Sequence, residues 1–374
     1  MKNIIDIHVK KTEAKKESSI KPPKKRKNIK LVIIAALLIF LSIIAAFFLW
    51  PKEKKETVIE PKKEETKVVS EPKKEVSLFN IESPLNGALT TEEKAKRRPI
   101  AAAIENHPAS RPQSGLDKAG LVYEALTEGG ITRFLAFFVE NDVKEVGPVR
   151  SARIYFVRFA DEYNAFYTHV GGSADALALI KELDNFYNLD QFSLGKYFWR
   201  DKKRFAPHNV YSSTDLLRKA GESKKWDANA DYDKYQFKND VSENKRGNKE
   251  KITINFSFKQ YQVDYYYDKS NNEYKRNLAG KEHIDKNSKQ QIKAKNIIIQ
   301  YVESWKVEDG IDINSQGSGK AKVFMDGEEI TGTWKKLSRK QRTKFYDSQN
   351  KEIIFNRGPI WIEIISQGVV ILDQ

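Results

Sequence analysis

From Phe79 to about Leu217 the chain alternates short apolar runs with segments of helical period. Pro99–Ile104 (PIAAAI), Phe134–Val139 (FLAFFV) and Ala165–Val170 (AFYTHV) read as strands. FLAFFV is apolar at every position, as expected of a strand covered on both faces. Ser151–Glu162 places Ile154, Val157 and Ala160 at helical spacing, with Phe156 and Phe159 widening the apolar face. Ala174–Leu183 reads as a helix with Ser173 as N-cap and Asp175 in its first turn. Asp215–Ala220 reads as a shorter helix, preceded by Ser213 or Thr214 and closed by Gly221. Strands interleaved with helices predict an α/β layer.

Residues 222–250 are polar and charged and read as a linker. After them the period becomes two. Ile252, Ile254, Phe256 and Phe258, then Tyr261, Val263, Tyr265 and Tyr267, alternate with polar positions, while Tyr266 breaks the period. DKSNN before Tyr274 reads as a hairpin turn, and Asp326-Gly327 is a strong turn signal. Further strands are expected at Asn296–Val302, Ala321–Met325, Glu352–Phe355 and Ile360–Ile365. The fold class expected is an α/β N-terminal domain (mixed sheet with helices, 79–221) followed by a mainly antiparallel β C-terminal domain (251–374), each with its own core.

Upstream lies a different pattern. Leu31–Leu49 is nineteen residues without a charge or a proline. As a helix it would reach about 28 Å, the thickness of a bilayer's hydrocarbon. Lys24-Lys25-Arg26-Lys27 precedes it, and Trp50 and Pro51 follow. This flank predicts a retained signal anchor over 31–50, with a cytoplasmic tail (1–30) and the bulk of the chain outside the cell. The run is long for a signal-peptide core, and no small-residue cleavage motif follows Trp50. Residues 51–78, rich in Pro, Lys and Glu, cannot form a core and read as an extended stalk.

Composition refines this picture. The net charge is +15, but residues 1–30 hold eleven Lys/Arg against three Asp/Glu. The basic character therefore sits mostly in the tail, where it serves topology and attraction to anionic lipid. The tail has no aromatic residue to stack on bases, so nucleic acid is not an expected partner. With no cysteine the chain has neither a disulfide nor a lipid-bearing thiol.

The candidate chemistry gathers in loops and at strand ends, where α/β sheets form ligand crevices. These segments are Asn106-His107-Pro108, Glu128-Gly129-Gly130-Ile131-Thr132-Arg133, Gly147-Pro148-Val149-Arg150-Ser151-Ala152-Arg153, His169-Val170-Gly171-Gly172-Ser173 and Arg204-Phe205-Ala206-Pro207-His208-Asn209. Gly171, Gly172 and Ser173 open a helix, and Arg133, Arg150 and Arg153 are planar donors suited to phosphate or carboxylate. Together they define an expected anion pocket, supported by Asn106, His107, Glu128, His169 and His208. Equally, the glycines can serve a tight turn and the arginines can pair with Glu124, Glu128 or Glu162. His107, His169 and His208 lack the spacing of a metal site, and there is no G-x-S-x-G elbow. No metal and no cofactor is expected. Trp305, Trp334 and Trp361 and the tyrosines of the second segment fit either a core or a surface that stacks on sugars.

RPIAAAIENHPASRPQSGL, EGGITRF, GPVRSAR, HVGGS and RFAPHN together resemble the YerB-like family of bacterial envelope proteins. Tyr274-Lys275-Arg276, Gly280, His283, Asp285, Gly317-Ser318-Gly319 and Gly332-Thr333-Trp334 resemble that family's C-terminal domain. The resemblance covers about residues 80–370. It implies a two-domain, membrane-tethered extracytoplasmic protein of Gram-positive type. Many relatives look like lipoproteins, and this cysteine-free chain would substitute its helix. A weaker similarity is to the LytR–CpsA–Psr phosphotransferases, in the order of a Gly-rich Arg turn, a Pro-Val-Arg hairpin and a Gly-Gly turn opening a helix. Arg133 stands about where that family would place a metal-binding Asp.

Two functions follow as expectations. One is a binding or regulatory module for cell-wall synthesis, with a wall enzyme or an anionic wall polymer as partner. The alternative is a phosphotransferase or hydrolase acting on phosphate-bearing wall precursors.

Overall fold

The computed structural model describes residues 81–366 and 370–373. The tail, the apolar run 31–50 and the stalk lie outside the described residues. A ten-stranded sheet forms the frame. From Ile360–Ile365 it runs through Leu121–Leu126, Thr132–Phe138, Ile100–Glu105 and Phe166–His169 to Asn188–Asp190 at one edge. Asn296–Tyr301, Gly317–Met325, Glu328–Lys336 and Lys344–Asp347 extend it on the other side of Ile360–Ile365. Asn296–Tyr301 pairs parallel with Ile360–Ile365, which pairs parallel with Leu121–Leu126.

Sequence pattern explains this placement. Asn296–Tyr301 and Ile360–Ile365 are almost wholly buried runs without alternation, the pattern of interior parallel strands. The expectation that everything after residue 251 is mainly antiparallel therefore holds only in part. The antiparallel portion is a separate six-stranded sheet that includes Lys251–Asn255, Gln262–Asp268, Glu273–Leu278 and Val370–Asp373.

The cores divide by sheet face, not by chain segment. On one face Ala101, Tyr123, Leu135, Phe137 and Ile362 pack with Tyr155, Phe156 and Phe159 of helix Ile154–Glu162. On the other, Val122, Phe134, Ala136 and Trp361 pack with Ile252, Ile254, Val263 and Tyr265 of the second sheet and Leu217 of helix Thr214–Ser223. Each core thus draws on both halves of the chain, so among the described residues the two segments do not have separate cores. Residues 222–250 are mostly exposed, yet they are anchored to the body at several points. Trp226 stacks on Phe166 at 6.0 Å, Tyr235 is buried, and Gln236–Lys238 pairs parallel with Ile354–Asn356.

Local expectations hold with shifts. Helix Ala174–Glu182 has Ser173 at its N-cap, although the hydroxyl makes no capping bond. Helix Thr214–Ser223 is capped by Ser213 and runs through Gly221 rather than ending before it. Gly221 is needed there because a methyl group would come within 2.5 Å of the Phe166 ring. Trp334 and Trp361 are core residues, whereas Trp305 is exposed.

Between the two sheets lies a buried polar network. Glu363 and Glu124 are direct neighbours on adjacent parallel strands, and both are fully buried. Arg276, from the second sheet, pairs with Glu124 through Nη2 and donates to Tyr265 Oη at 3.1 Å. Tyr265 in turn donates to Glu363. Arg276 Nη1 also meets His283 Nδ1, and His283 Nε2 lies 2.9 Å from Gln113 Oε1. Burial and the Glu124 charge push the Glu363 carboxyl well above its usual range, so it holds its proton more tightly than a free glutamate does. Burial and the Arg276 charge keep His283 neutral.

This network yields a signed prediction. A carboxyl that holds its proton more tightly when folded stabilises the fold below its unfolded pKa of about 4.3. That contribution is lost as pH rises towards the folded value. Glu363→Gln keeps an acceptor for Tyr265 and removes the titration. Its stability relative to the parent chain should therefore grow between about pH 5 and about pH 8. Arg276→Met, which strands Glu124, should cost about 3–5 kcal/mol. Urea unfolding of both variants at the two pH values is the measurement. A parent stability that stays level with the glutamine variant throughout would remove the proton from Glu363.

Candidate functional site

Six strands of the large sheet, all parallel, end on one edge: Ile100–Glu105, Leu121–Leu126, Phe166–His169, Asn188–Asp190, Asn296–Tyr301 and Ile360–Ile365. The antiparallel strand Thr132–Phe138 begins on that edge, because it pairs with both Ile100–Glu105 and Leu121–Leu126. The carboxyl ends of parallel strands are where α/β sheets open a crevice. Every segment singled out for chemistry in the first half of the chain arrives here or beside it. The stretch 149–152 runs across this edge. Val149 bridges to Ile104, Arg150 O accepts from Val170 N at 3.0 Å, and Ala152 bridges to Gly172.

The three arginines come together. Arg133 lies opposite Glu105 in the strand register, and the charges of Arg153 and Arg150 both act on it. Burial first, then Arg153, lowers the proton affinity of the Arg133 guanidinium. Each arginine also has a carboxylate. Arg133 Nη2 donates to Glu128 Oε1 at 3.2 Å and its Nη1 to Ser151 O at 2.8 Å. Arg153 Nε donates to Glu128 Oε2 at 2.9 Å. Burial raises the Glu128 carboxyl, but the Arg133 charge and the Arg153 hydrogen bond outweigh it and hold it at about 2. Arg150 Nε stands 3.0 Å from Glu105 Oε1, an ion pair whose angle is not that of a hydrogen bond. Its two terminal nitrogens have no partner among the described residues, and its side chain is about a quarter exposed.

His208 belongs with Arg150. Its Nδ1 lies 2.8 Å from the second Glu105 oxygen, and its ring stacks on His107 at 4.7 Å. His107 Nδ1 accepts from Ala109 N at 3.2 Å, which places its neutral proton on Nε2. Burial, the neighbouring His208 and two arginines lower the His107 pKa against the pull of Glu105. A carboxylate-held imidazole beside an arginine with free donors can bind an anion and accept a proton from it.

The other expected residues have different roles. Asn106 turns inward and donates to Thr132 Oγ1 at 2.7 Å, within the Glu124 network. His169 is buried and held by Gly171 O at 2.7 Å and Asn188 Oδ1 at 2.6 Å. The Gly171–Ser173 turn abuts the arginine stretch, but two of its three amides are already used. Gly171 N donates to Asp190 Oδ1 at 3.0 Å and Ser173 N to Ala152 O at 3.3 Å. The helix's first amide, Ala174 N, donates to Asp309 Oδ2 at 3.1 Å. Ser173 Oγ is buried without a partner among the described residues. Of the carboxylates expected to pair with these arginines, only Glu128 does. Glu124 takes Arg276, and Glu162 takes Lys336 at 2.7 Å.

Sequence reasoning passed over Glu105, Asp190 and Asp309. Glu105 carried a signal, as the one charge closing an otherwise apolar strand beside Asn106-His107. Asp309 carried none, because the turn between Ser304–Val307 and Gly310–Ile313 reaches the helix only through the tertiary fold.

Exposed aromatic side chains stand around this edge. Phe192 covers Gly171, and Phe258 covers Gly130. Trp305 faces Thr127–Gly130 across a groove of about 560 Å³. Phe205 sits in the loop that Arg204 ties to Pro112 O at 2.8 Å, three residues before His208. These four are between 48% and 90% exposed.

The chain matches the protein of unknown function (DUF3048) N-terminal domain over residues 85–227 and the corresponding C-terminal domain over 252–362. It is 34% identical to "Putative lipoprotein YerB" of Bacillus subtilis (strain 168) over 292 residues, which is 76% of this chain and 86% of that protein. The chain belongs to the YerB family. The crystal structure of YerB from Bacillus subtilis superimposes with a TM-score of 0.72 at 30% identity, covering 78% of this chain and all of that one. The YerB-like motifs quoted from the sequence thus identified the family correctly. The two matched YerB-family segments are separated by residues 228–251, and the second begins where the hydrophobic period changes, although they share one sheet.

Glu128 provides the acid-side prediction. Its depressed carboxyl contributes stability above the ordinary pKa of 4.5, lost as pH falls towards about 2. Glu128→Gln should lose stability at neutral pH, since Arg133 is then buried beside Arg153 without its carboxylate. It should also show a flatter decline below about pH 4.5 than the parent chain. Chemical denaturation midpoints down the acid range check this. Parallel curves for the two proteins would mean the carboxylate is not coupled to the arginines.

Proposed function

We propose that the chain is a membrane-tethered extracytoplasmic protein that binds an anionic, sugar-bearing polymer of the cell wall along the carboxyl edge of its large sheet. The observation that carries this reading is the grouping of Arg150, His107 and His208 at that edge beside exposed aromatic rings. Arginine donors suit phosphate or carboxylate groups, and aromatic faces suit sugar rings. Several exposed rings, Phe205, Phe192, Trp305 and Phe258, suit a ligand of several sugar units more than a small molecule. The tether is supported by the apolar run Leu31–Leu49 with its basic flank, and by the lipoprotein designation of YerB.

The test is titration of the full chain with a poly(glycerol phosphate) oligomer and with a neutral glycan of equal length. Arg150→Ala should weaken polyanion binding about tenfold or more while folding is retained, because the side chain is partly exposed and its loss costs one charged contact. Equal affinity of the parent chain and the alanine variant would remove Arg150 from the site. Failure of both polymers to bind would remove the function.

A second reading has one observation behind it, the Glu105–His208 pair. It would make His208 the proton acceptor in hydrolysis or transfer of a phosphate-bearing wall precursor. Under that reading, polymer incubated with the parent chain is shortened or modified, and His208→Gln abolishes this while binding persists. An unchanged polymer after prolonged incubation leaves binding as the function.

A further inference from the structure

The amino-terminal edge of the same strands, opposite the site above, carries a pocket of about 210 Å³. Glu93, Arg97, Phe166, Arg218, Glu222 and Trp226 line it. Arg218 projects from helix Thr214–Ser223 and donates Nη1 to Arg98 O at 3.0 Å. Its Nε and Nη2 are buried and have no partner among the described residues. Those two nitrogens form one edge of the guanidinium, the edge that takes both oxygens of a carboxylate. Arg97 donates Nε to Val139 O and pairs Nη1 with Asp142 at 2.8 Å, and its Nη2 is likewise buried without a partner. Burial and the Arg97 charge pull the Arg218 guanidinium down to about 10, so it remains a cation at neutral pH. Buried donors are almost always satisfied in folded proteins, and three unsatisfied guanidinium nitrogens at one pocket need a partner.

We infer that this pocket binds a small carboxylate carried on an apolar body, with the carboxylate on the Arg218 edge and Arg97 Nη2. The surroundings favour one negative charge rather than two. Asp142 already meets Arg97 and Lys94, and Glu93 and Glu222 stand in the lining and disfavour a second charge. Trp226 and Phe166, stacked at 6.0 Å, supply an apolar wall for the ligand's body.

The experiment titrates the full chain with benzoate, benzamide and inorganic phosphate, reading thermal stability and tryptophan fluorescence. Saturable stabilisation by benzoate alone, lost in Arg218→Gln, is the expected result. Arg218→Met without ligand should melt no lower than the parent chain, because it removes a buried charge that has no ion-pair partner among the described residues. The inference is overturned if benzoate does not bind at millimolar concentration, or if Arg218→Gln binds it unchanged. It also fails if phosphate binds in preference, or if Arg218→Met is strongly destabilised, which would make the arginine structural.

Discussion

Arg276 is the side chain on which the architecture turns. It rises from the smaller sheet, is fully buried, and meets a carboxylate from the first half of the chain, Glu124, beside a second carboxyl, Glu363. Two glutamates side by side in an apolar interior cannot both be charged, and one arginine can balance only one of them. The arrangement is stable as an ion pair plus a protonated acid, joined by the Tyr265 hydroxyl. Trp361 lies 4.5 Å below the guanidinium and completes its enclosure. Because this unit draws on residues 124, 265, 276, 283 and 363, the sheets cannot separate without exposing buried charge. The two family segments therefore behave as one folded body.

That rigidity is what the candidate site uses. Asn106 and Thr132 belong to the buried network on one face of the sheet, while Glu105 and Arg133, one residue along each strand, belong to the site on the other. Alternation along a strand sends neighbouring side chains to opposite faces, so a packed interior directly positions the functional edge. Glu105 and Glu128 hold the three arginines in place, yet leave the Arg150 and His208 side chains partly exposed.

The chain's charges are thus divided between tasks that composition alone merges. Arg133 and Arg153 share Glu128 and shape the edge, whereas Arg150 presents donors. On the opposite edge, Arg98 is satisfied by the carbonyls of Asp227 and Asn229, and neighbouring Arg218 keeps an unsatisfied edge. Identical side chains acquire different roles according to whether backbone carbonyls reach them.

The sequence by itself determined the local elements, the family and the composition of the site. Apolar runs such as FLAFFV, the helical period after Ser151 and the alternation after Lys251 are consequences of local burial, which neighbouring residues report. Motifs such as GPVRSAR and RFAPHN marked Arg150 and His208 because charge and proline cluster where the chain leaves the sheet. The tertiary structure alone decided that Ile360–Ile365 joins Leu121–Leu126, more than two hundred residues away, since no local pattern encodes which buried strand is the partner. It alone set Glu105 against Arg150, Glu124 against Arg276 and Asp309 on the Ala174 amide. Pairings of charge across such distances follow from the packing of both sheets, and packing is a property of the whole chain.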